Sequence, residues 1–370
     1  MKVFLNGIAT AVPPYILPQN LVLEAARRIL GPKYEYFERM ADSFINAGVD
    51  MRYSMAPPDW FEYEKSWSAR NSQYLTGAKA LYFEAAQKAM DHAGLTGKDI
   101  DIVVTVSSTG IATPTLEALT WKELGFRNDV RRVPIFGLGC AGGVTGLAVA
   151  TSLARSRPGT NVLIVALEAC TLSFRTDRLE KADIIATVLF GDGAGAAVLS
   201  CRPGKGELQD ITLGEGHEHL WADTLDIMGW QVDDTGLGVI FDRSIPDFAG
   251  DFFSRAAAEA LEKAGIERDE LDRYVCHPGG RKVVEALESA LRLAPGSLDA
   301  ERETLKEYGN MSAPTVLFVL KKVIENGEKG RMLMTALGPG FTASFLPITV
   351  GVETPDGVAK TTGRAGRQYA

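Results

Sequence analysis

Residues 88–110 and 259–280 of this 370-residue chain are two versions of one segment, and that repeat limits the fold more than any other feature. KAMDHAGLTGKDIDIVVTVSSTG lies over EALEKAGIERDELDRYVCHPGG without a gap, so Ala93-Gly94 meets Ala264-Gly265, Asp101 meets Asp272 and Val104 meets Val275. Each copy reads as an amphipathic helix, a glycine stop, an acidic turn and a strand that ends in small residues. A second pair follows at nearly the same offset. CAGGVTGLAVATSLARSRPGTNVLIVALEA begins at Cys140 and NMSAPTVLFVLKKVIENGEKGRMLMTALGPG begins at Asn310; both read as turn, helix, charged turn and buried strand. Order and spacing shared by two pairs predict a duplicated α/β fold with internal pseudo-twofold symmetry, Cys140 and Asn310 facing each other at equivalent helix starts. The expected halves are 1–205 and 206–352, with a loose tail over 353–370 that lacks apolar periodicity. Tyr53 to Trp67, rich in Pro, Trp and Tyr, reads as an irregular excursion.

Composition narrows the partners. Lys and Arg number 39 against 47 Asp and Glu, a net charge of −8, which disfavours a nucleic-acid backbone as a ligand. No run approaches the roughly 18 apolar residues of a membrane span, and the N-terminus, interrupted by Asn6, Pro13 and Pro14, makes a poor secretory signal. The four cysteines, Cys140, Cys170, Cys201 and Cys276, include no C-x-x-C spacing. A reducing, cytoplasmic compartment is expected.

Three residues carry candidate chemistry. Cys140 stands where the strand of VPIFGLGCAGG meets a helix; unpaired N–H groups and the positive end of the helix dipole there lower a thiol pKa. His277 follows a strand in DRYVCHPGG and can donate a hydrogen bond to an oxyanion or share a proton with a nearby thiol. Asn310, in YGNMSAP, has two amide hydrogens for an oxyanion. Each has a plain structural alternative: a packed small residue, a satisfied histidine and a helix cap.

Two decoys stand beside them. Gly137-Leu138-Gly139-Cys140-Ala141-Gly142 matches G-x-G-x-x-G, with Glu168 ending the next strand, the outline of a dinucleotide site. Its mid-chain position and the thiol in the turn count against it. Glu215-Gly216-His217-Glu218-His219 has the look of metal ligands but lacks a further well-spaced set, so no metal is expected. Gly191 to Gly195 reads as a strand packed by small residues; a phosphate loop would carry Lys-Ser/Thr.

The local words GCAGG at Cys140, LFGDGAGAAV from 189, HPGG at 277–280, YGNMS at 308–312 and GPGF at 338–341 resemble the type III polyketide synthases, the chalcone synthase superfamily of the thiolase fold, over roughly residues 3 to 350. The resemblance implies a layered αβαβα architecture, a homodimer, malonyl-CoA and an acyl-CoA starter as substrates, and no cofactor or metal. It implies that Cys140 carries the acyl group while His277 and Asn310 support malonyl decarboxylation. It further implies a gatekeeper at Phe190, a cavity edged by Thr109, Cys170, Ser173, Val239, Ser312, Leu337, Gly338 and Pro339, and Thr113 reaching a partner subunit's cavity. Arg39, Arg243, Gly279, Gly280 and Lys282 fall where family members meet CoA.

Val239 stands where a second gatekeeper Phe is usual, and Ala336-Leu337-Gly338-Pro339-Gly340 replaces G-F-G-P-G. GLGCAGG and EACTLSF are closer to bacterial members that make alkylpyrones or alkylresorcinols from fatty acyl starters. The alternatives are a ketosynthase III-like 3-oxoacyl synthase, a nicotinamide-dependent oxidoreductase built on the glycine motif, and a cysteine hydrolase.

Overall fold

The computed structural model describes residues 1–352 apart from 179, 205, 243 and 244. The expected tail at 353–370 and the CoA contact expected of Arg243 lie outside the described residues.

The duplication is visible in the strand order. In the first half Val3–Ala11, Asp192–Ser200, Asn161–Ala169, Ile102–Val106 and Arg131–Ile135 lie side by side. Their pairings run antiparallel, antiparallel, parallel, parallel. In the second half Ile211–Leu213, Thr342–Val350, Gly330–Gly338 and Arg273–Cys276 repeat the order, with pairings antiparallel, antiparallel, parallel. The halves join where Val3 pairs with Leu213 and Phe4 with Thr212.

Strand side chains alternate in direction, and here both directions are buried. Ile102, Val104, Val106, Ile164 and Ala197 point into a central layer built on helices Gly142–Ser156 and Thr315–Glu325, which Met332, Met334 and Leu346 of the second half close from the other side. Val103, Leu163, Val165 and Val198 point outward onto the long helix Trp67–Ala93. That helix starts at Ser66, whose side chain accepts the Ala69 N–H, and stops at Gly94 in the left-handed conformation, the cap pair expected of these residue types. Helices Ile245–Ala264 and Arg281–Ala290 cover the second half through Phe253, Val284 and Leu287. The result is the αβαβα layering.

The central helices approach closely because their first turns are small. A Cβ on Gly143 would run into the Ala313 carbonyl, and one on Gly193 into the Met311 sulfur. The Gly191–Gly195 word is thus a packing device at the start of strand Asp192–Ser200. His217–Leu220 is also a strand, paired along Thr342–Val350, and among the described residues no group of three or more His, Cys, Asp or Glu could hold a metal. Nor is any helix among them long and apolar enough to cross a membrane.

Two elements outside the layers shape the site. Helices Gln19–Leu30 and Phe37–Asn46 pack on helix Lys181–Leu189 through Ala26, Leu30, Phe44, Ile184 and Val188. A hairpin of Met228–Asp233 and Gly236–Phe241 forms its own small sheet. The excursion at Tyr53 to Trp67 contains one short helical turn, Pro58–Glu62.

Candidate active site

Cys140, His277 and Asn310 come from both halves and line one small, narrow cavity with Met228, Phe241, Thr335 and Leu337. Cys140 sits in the tight turn Gly139–Ala141 that opens the first central helix. His277 follows strand Arg273–Cys276, and its N–H continues the ladder to the Thr335 carbonyl at 2.8 Å. Buried Glu301 anchors that strand, accepting the Cys276 N–H at 2.9 Å and pairing with Arg273 at 3.0 Å. Asn310 is fixed from every side: its N–H donates to the Leu189 carbonyl (2.8 Å), its carbonyl accepts from Gly191 (3.0 Å), its amide donates to the Gly279 carbonyl (3.0 Å) and its Oδ1 accepts from the Ser312 N–H (2.8 Å).

The electrostatics correct one expectation. Burial pushes the Cys140 thiol up to about 11; hydrogen bonds from the Ser312 and Asn310 side chains oppose the rise, and Glu168 beneath adds to it. A thiol lowered by its helix terminus is not what the structure holds, because desolvation of a thiolate outweighs one helix end. Burial likewise pushes His277 down to about 3, and neither ring nitrogen has a hydrogen-bond partner. The pair at rest is therefore thiol and neutral imidazole rather than a shared-proton pair. A neutral imidazole in a dry cavity is a hydrogen-bond donor that does not protonate a carbanion.

Glu168 is fully buried, accepting the Ser108 N–H (2.9 and 3.1 Å) and the Thr109 hydroxyl (2.7 Å), and burial raises its carboxyl to about 8. It has no access to a ribose, and a Cβ on Gly142 would already stand 2.7 Å from Val106. The dinucleotide reading fails on both counts. Thr109 ties Glu168 to the Ala169 N–H (2.8 Å) and lines none of the cavities described here.

The other expected cavity residues divide. Cys170, Ser173, Phe190 and Val239 line a second, mainly apolar chamber of about 150 Å³. Its far wall is one face of helix Gln19–Leu30, formed by Leu21, Val22, Ala25, Ala26 and Ile29, and Phe61 and Phe174 add to it. Leu337 belongs to the first cavity, whereas Gly338 and Pro339 pack behind the Cys140 turn, Pro339 against Gly139. Thr113 is exposed and lines no chamber of its own chain.

Gly279, Gly280 and Lys282 edge a wide mouth of about 740 Å³ that shares Phe241, Gly279 and Val283 with the catalytic cavity. Lys181 and Arg281 join it, cations the sequence reading missed although Arg281 adjoins Lys282. Arg39 does not: it is exposed, with its guanidinium 4.8 Å from the centre of the Tyr36 ring. Trp230 was missed too. It pairs with Val239 across the hairpin and meets Phe190 edge to face at 6.4 Å.

A thiol in one half, set against an amide in the other across the axis of a duplicated αβαβα fold, is the plan of the thiolase-fold condensing enzymes. Comparison with known proteins narrows the class. The family models for the N-terminal and C-terminal domains of chalcone and stilbene synthases match residues 50–203 and 216–353. A 1,3,6,8-tetrahydroxynaphthalene synthase of Streptomyces peucetius is 35% identical, over 92% of this chain and 91% of its own. Type III polyketide synthase A of Arabidopsis thaliana is 31% identical, over 94% and 92%. The crystal structure of the tetrahydroxynaphthalene synthase of Streptomyces coelicolor superposes with a TM-score of 0.88 at 30% identity, covering 95% of this chain and all of that one. The chain belongs to the chalcone and stilbene synthase family. It is a type III polyketide synthase, an acyltransferase-type condensing enzyme.

Proposed function

We propose that the enzyme extends a fatty acyl starter held on Cys140 with malonyl units and closes the product to a pyrone or resorcinol-type ring. The observation that supports this most is the chamber behind Phe190. Its walls are mainly apolar, with Arg52, Thr171, Ser173, Asp183 and Thr187 as the polar members, so an alkyl chain loses little on entering while an unpaired hydroxyl loses hydrogen bonds to water. A concave site lined mostly by apolar side chains with a few polar groups is the form of a site for an apolar ligand.

The steps use the groups on hand. The Cys140 sulfur attacks the starter thioester as its proton passes to the neutral His277. The opposite charges then form side by side, which offsets the burial that disfavours each alone. The C–S bond to CoA breaks, and CoA leaves with the proton. Donors to the intervening oxyanion, the amide of Asn310 and the imidazole N–H, contribute about 3–4 kcal/mol each at such sites. Malonyl-CoA then loses CO₂, and the electron pair of the broken C–C bond becomes an enolate held by the same donors. The enolate carbon attacks the acyl thioester and expels the Cys140 thiolate, leaving a β-ketoacyl-CoA for the next round. CoA thioesters serve as substrates, and the proposed chemistry calls for no metal or redox cofactor. Lys181, Arg281 and Lys282 at the mouth suit CoA phosphates.

We place the enzyme in a homodimer in which Thr113 and the exposed edge strand Arg131–Ile135 face the partner. Incubation with malonyl-CoA and a ladder of acyl-CoA starters, read by mass spectrometry, tests the substrate. Alkyl-bearing products that outcompete all others support it. A naphthalene-type product from malonyl-CoA alone, with acyl-CoAs ignored, overturns it in favour of the activity named for the Streptomyces relatives.

A further inference from the structure

Arg52 lies beneath the point where Phe190 and Asn310 meet. It stands on strand Met51–Ser54 and is 1% exposed, among the largest fully buried side chains in the protein. Its Nη1 donates to the Thr187 carbonyl at 2.6 Å and to the Phe190 carbonyl at 3.2 Å, and its Nη2 donates to Gln19 Oε1. The first two acceptors lie at the C-terminal end of helix Lys181–Leu189, where backbone carbonyls lack partners and a cation is favoured. Gln19 carries the connection outward, donating to the Phe44 and Val188 carbonyls, both at 3.1 Å.

The stem of Arg52 is as closely engaged as its head. A Cβ on Gly191 would stand 3.2 Å from the Arg52 Cβ, and one on Gly309 3.4 Å from it. Those two glycines flank Phe190 and Asn310, which form an isolated parallel bridge. Two backbone hydrogen bonds, Asn310 to Leu189 and Gly191 to Asn310, close that bridge. One buried side chain thus braces both strands of the crossing that delivers the Phe190 ring to the wall of the apolar chamber and the Asn310 amide to the cavity of Cys140. The placement is costly, since burial lowers the guanidinium to about 9 although nearby Asp192 opposes the fall. Ordinary helix capping does not require a buried arginine.

We propose that Arg52 is a positioning residue for Phe190 and Asn310, holding the Phe190 carbonyl so that gate and amide keep a fixed relation to Cys140. This rests on the acyl-carrying role of Cys140 and the oxyanion role of Asn310. Losing the brace lets the enolate and the acyl thioester drift apart, and displacement of about 1 Å at reacting atoms costs up to about 100-fold. Decarboxylation involves one substrate and suffers less than condensation, which must align two.

The measurement is the ratio of condensed product to CO₂ released from malonyl-CoA, per mole of folded enzyme, for Arg52→Met, Arg52→Lys and Gln19→Leu. The ratio is expected to fall about tenfold or more in Arg52→Met, to recover partly in Arg52→Lys, which keeps one charged donor, and to stay near wild type in Gln19→Leu. A residue that only supports stability would lower the melting temperature and leave the ratio alone. A folded Arg52→Met with the wild-type ratio overturns the proposal. If Arg52→Met does not fold, a wild-type ratio in Arg52→Lys does so, because the shorter lysine stem stops short of the place where Nη1 meets the two carbonyls. Cys140→Ala and Asn310→Ala run alongside; condensation surviving in Cys140→Ala would instead show that the underlying reading of the site is at fault.

Discussion

Filling the apolar chamber from its helical wall should shorten the starters the enzyme prefers. Leu21 to Ile29 is nine residues of helix, eight rises of 1.5 Å and so about 12 Å of wall, and Ala25 lies halfway along it, partly buried at the chamber's edge. Each methylene moved from water into such a site contributes about 0.8 kcal/mol, about fourfold in specificity constant. In the wild type, kcat/KM should therefore climb about fourfold per added methylene until the chamber is full. Ala25→Phe puts an aromatic ring into the bore, and the climb should end sooner. If four methylenes are excluded, the longest starters lose about 3 kcal/mol, roughly 200-fold, while short starters are unchanged. The assay is steady-state condensation over an acyl-CoA ladder, below micelle-forming concentrations, with both proteins at matched fractions folded. A ladder that is flat in the wild type, or identical in Ala25→Phe, would show that the chain does not lie against this helix.

Other outcomes follow from the packing and the charges. Gly143→Ala pushes a methyl onto the Ala313 carbonyl where the central helices start, so thermal unfolding should show a loss of about 1–3 kcal/mol; an unchanged midpoint would mean the helices can part freely. Glu168 has a folded pKa near 8 against an ordinary 4.5, so the folded state keeps a proton that the unfolded chain has lost. Its contribution is complete below about 4.5 and fades as pH rises through about 8. The melting advantage of wild type over Glu168→Gln should thus shrink from about pH 5 to about pH 9, and a constant difference would contradict the raised carboxyl. Light scattering should give a dimer at micromolar concentration; a fully active monomer would refute the proposed role of Thr113 and the edge strand.

The fold was legible because duplication leaves a long-range record in sequence: Ala93-Gly94 and Ala264-Gly265 mark equivalent helix ends, and the strand order repeats accordingly. Cys140, His277 and Asn310 were legible because each stands where a strand or helix ends beside glycine, a place that delivers a side chain into a cavity. The protonation state of Cys140 was not. A helix terminus can be read locally, whereas the burial that outweighs it depends on Phe241, Phe253 and other residues a hundred positions away. The apolar stripe of Leu21, Val22, Ala25, Ala26 and Ile29 has the same periodicity whether it meets a core or an empty chamber, so the second cavity was invisible as well. Arg52 gave no sign of its place in RYSM, since its partners Gln19, Thr187 and Phe190 are brought to it only by the tertiary fold. Arg39 shows the converse: a basic residue in a suggestive position whose side chain lies over Tyr36, away from the mouth.

The assignment of the acyl carrier to Cys140 is tested most directly by the intact mass of the enzyme after a brief incubation with one acyl-CoA and no malonyl-CoA, followed by peptide mapping. One acyl group per chain, located on the peptide containing Cys140 and absent from Cys140→Ala, is the expected result. An acyl group on Cys170, Cys201 or Cys276, or an unmodified enzyme that still condenses when malonyl-CoA is added, would contradict it.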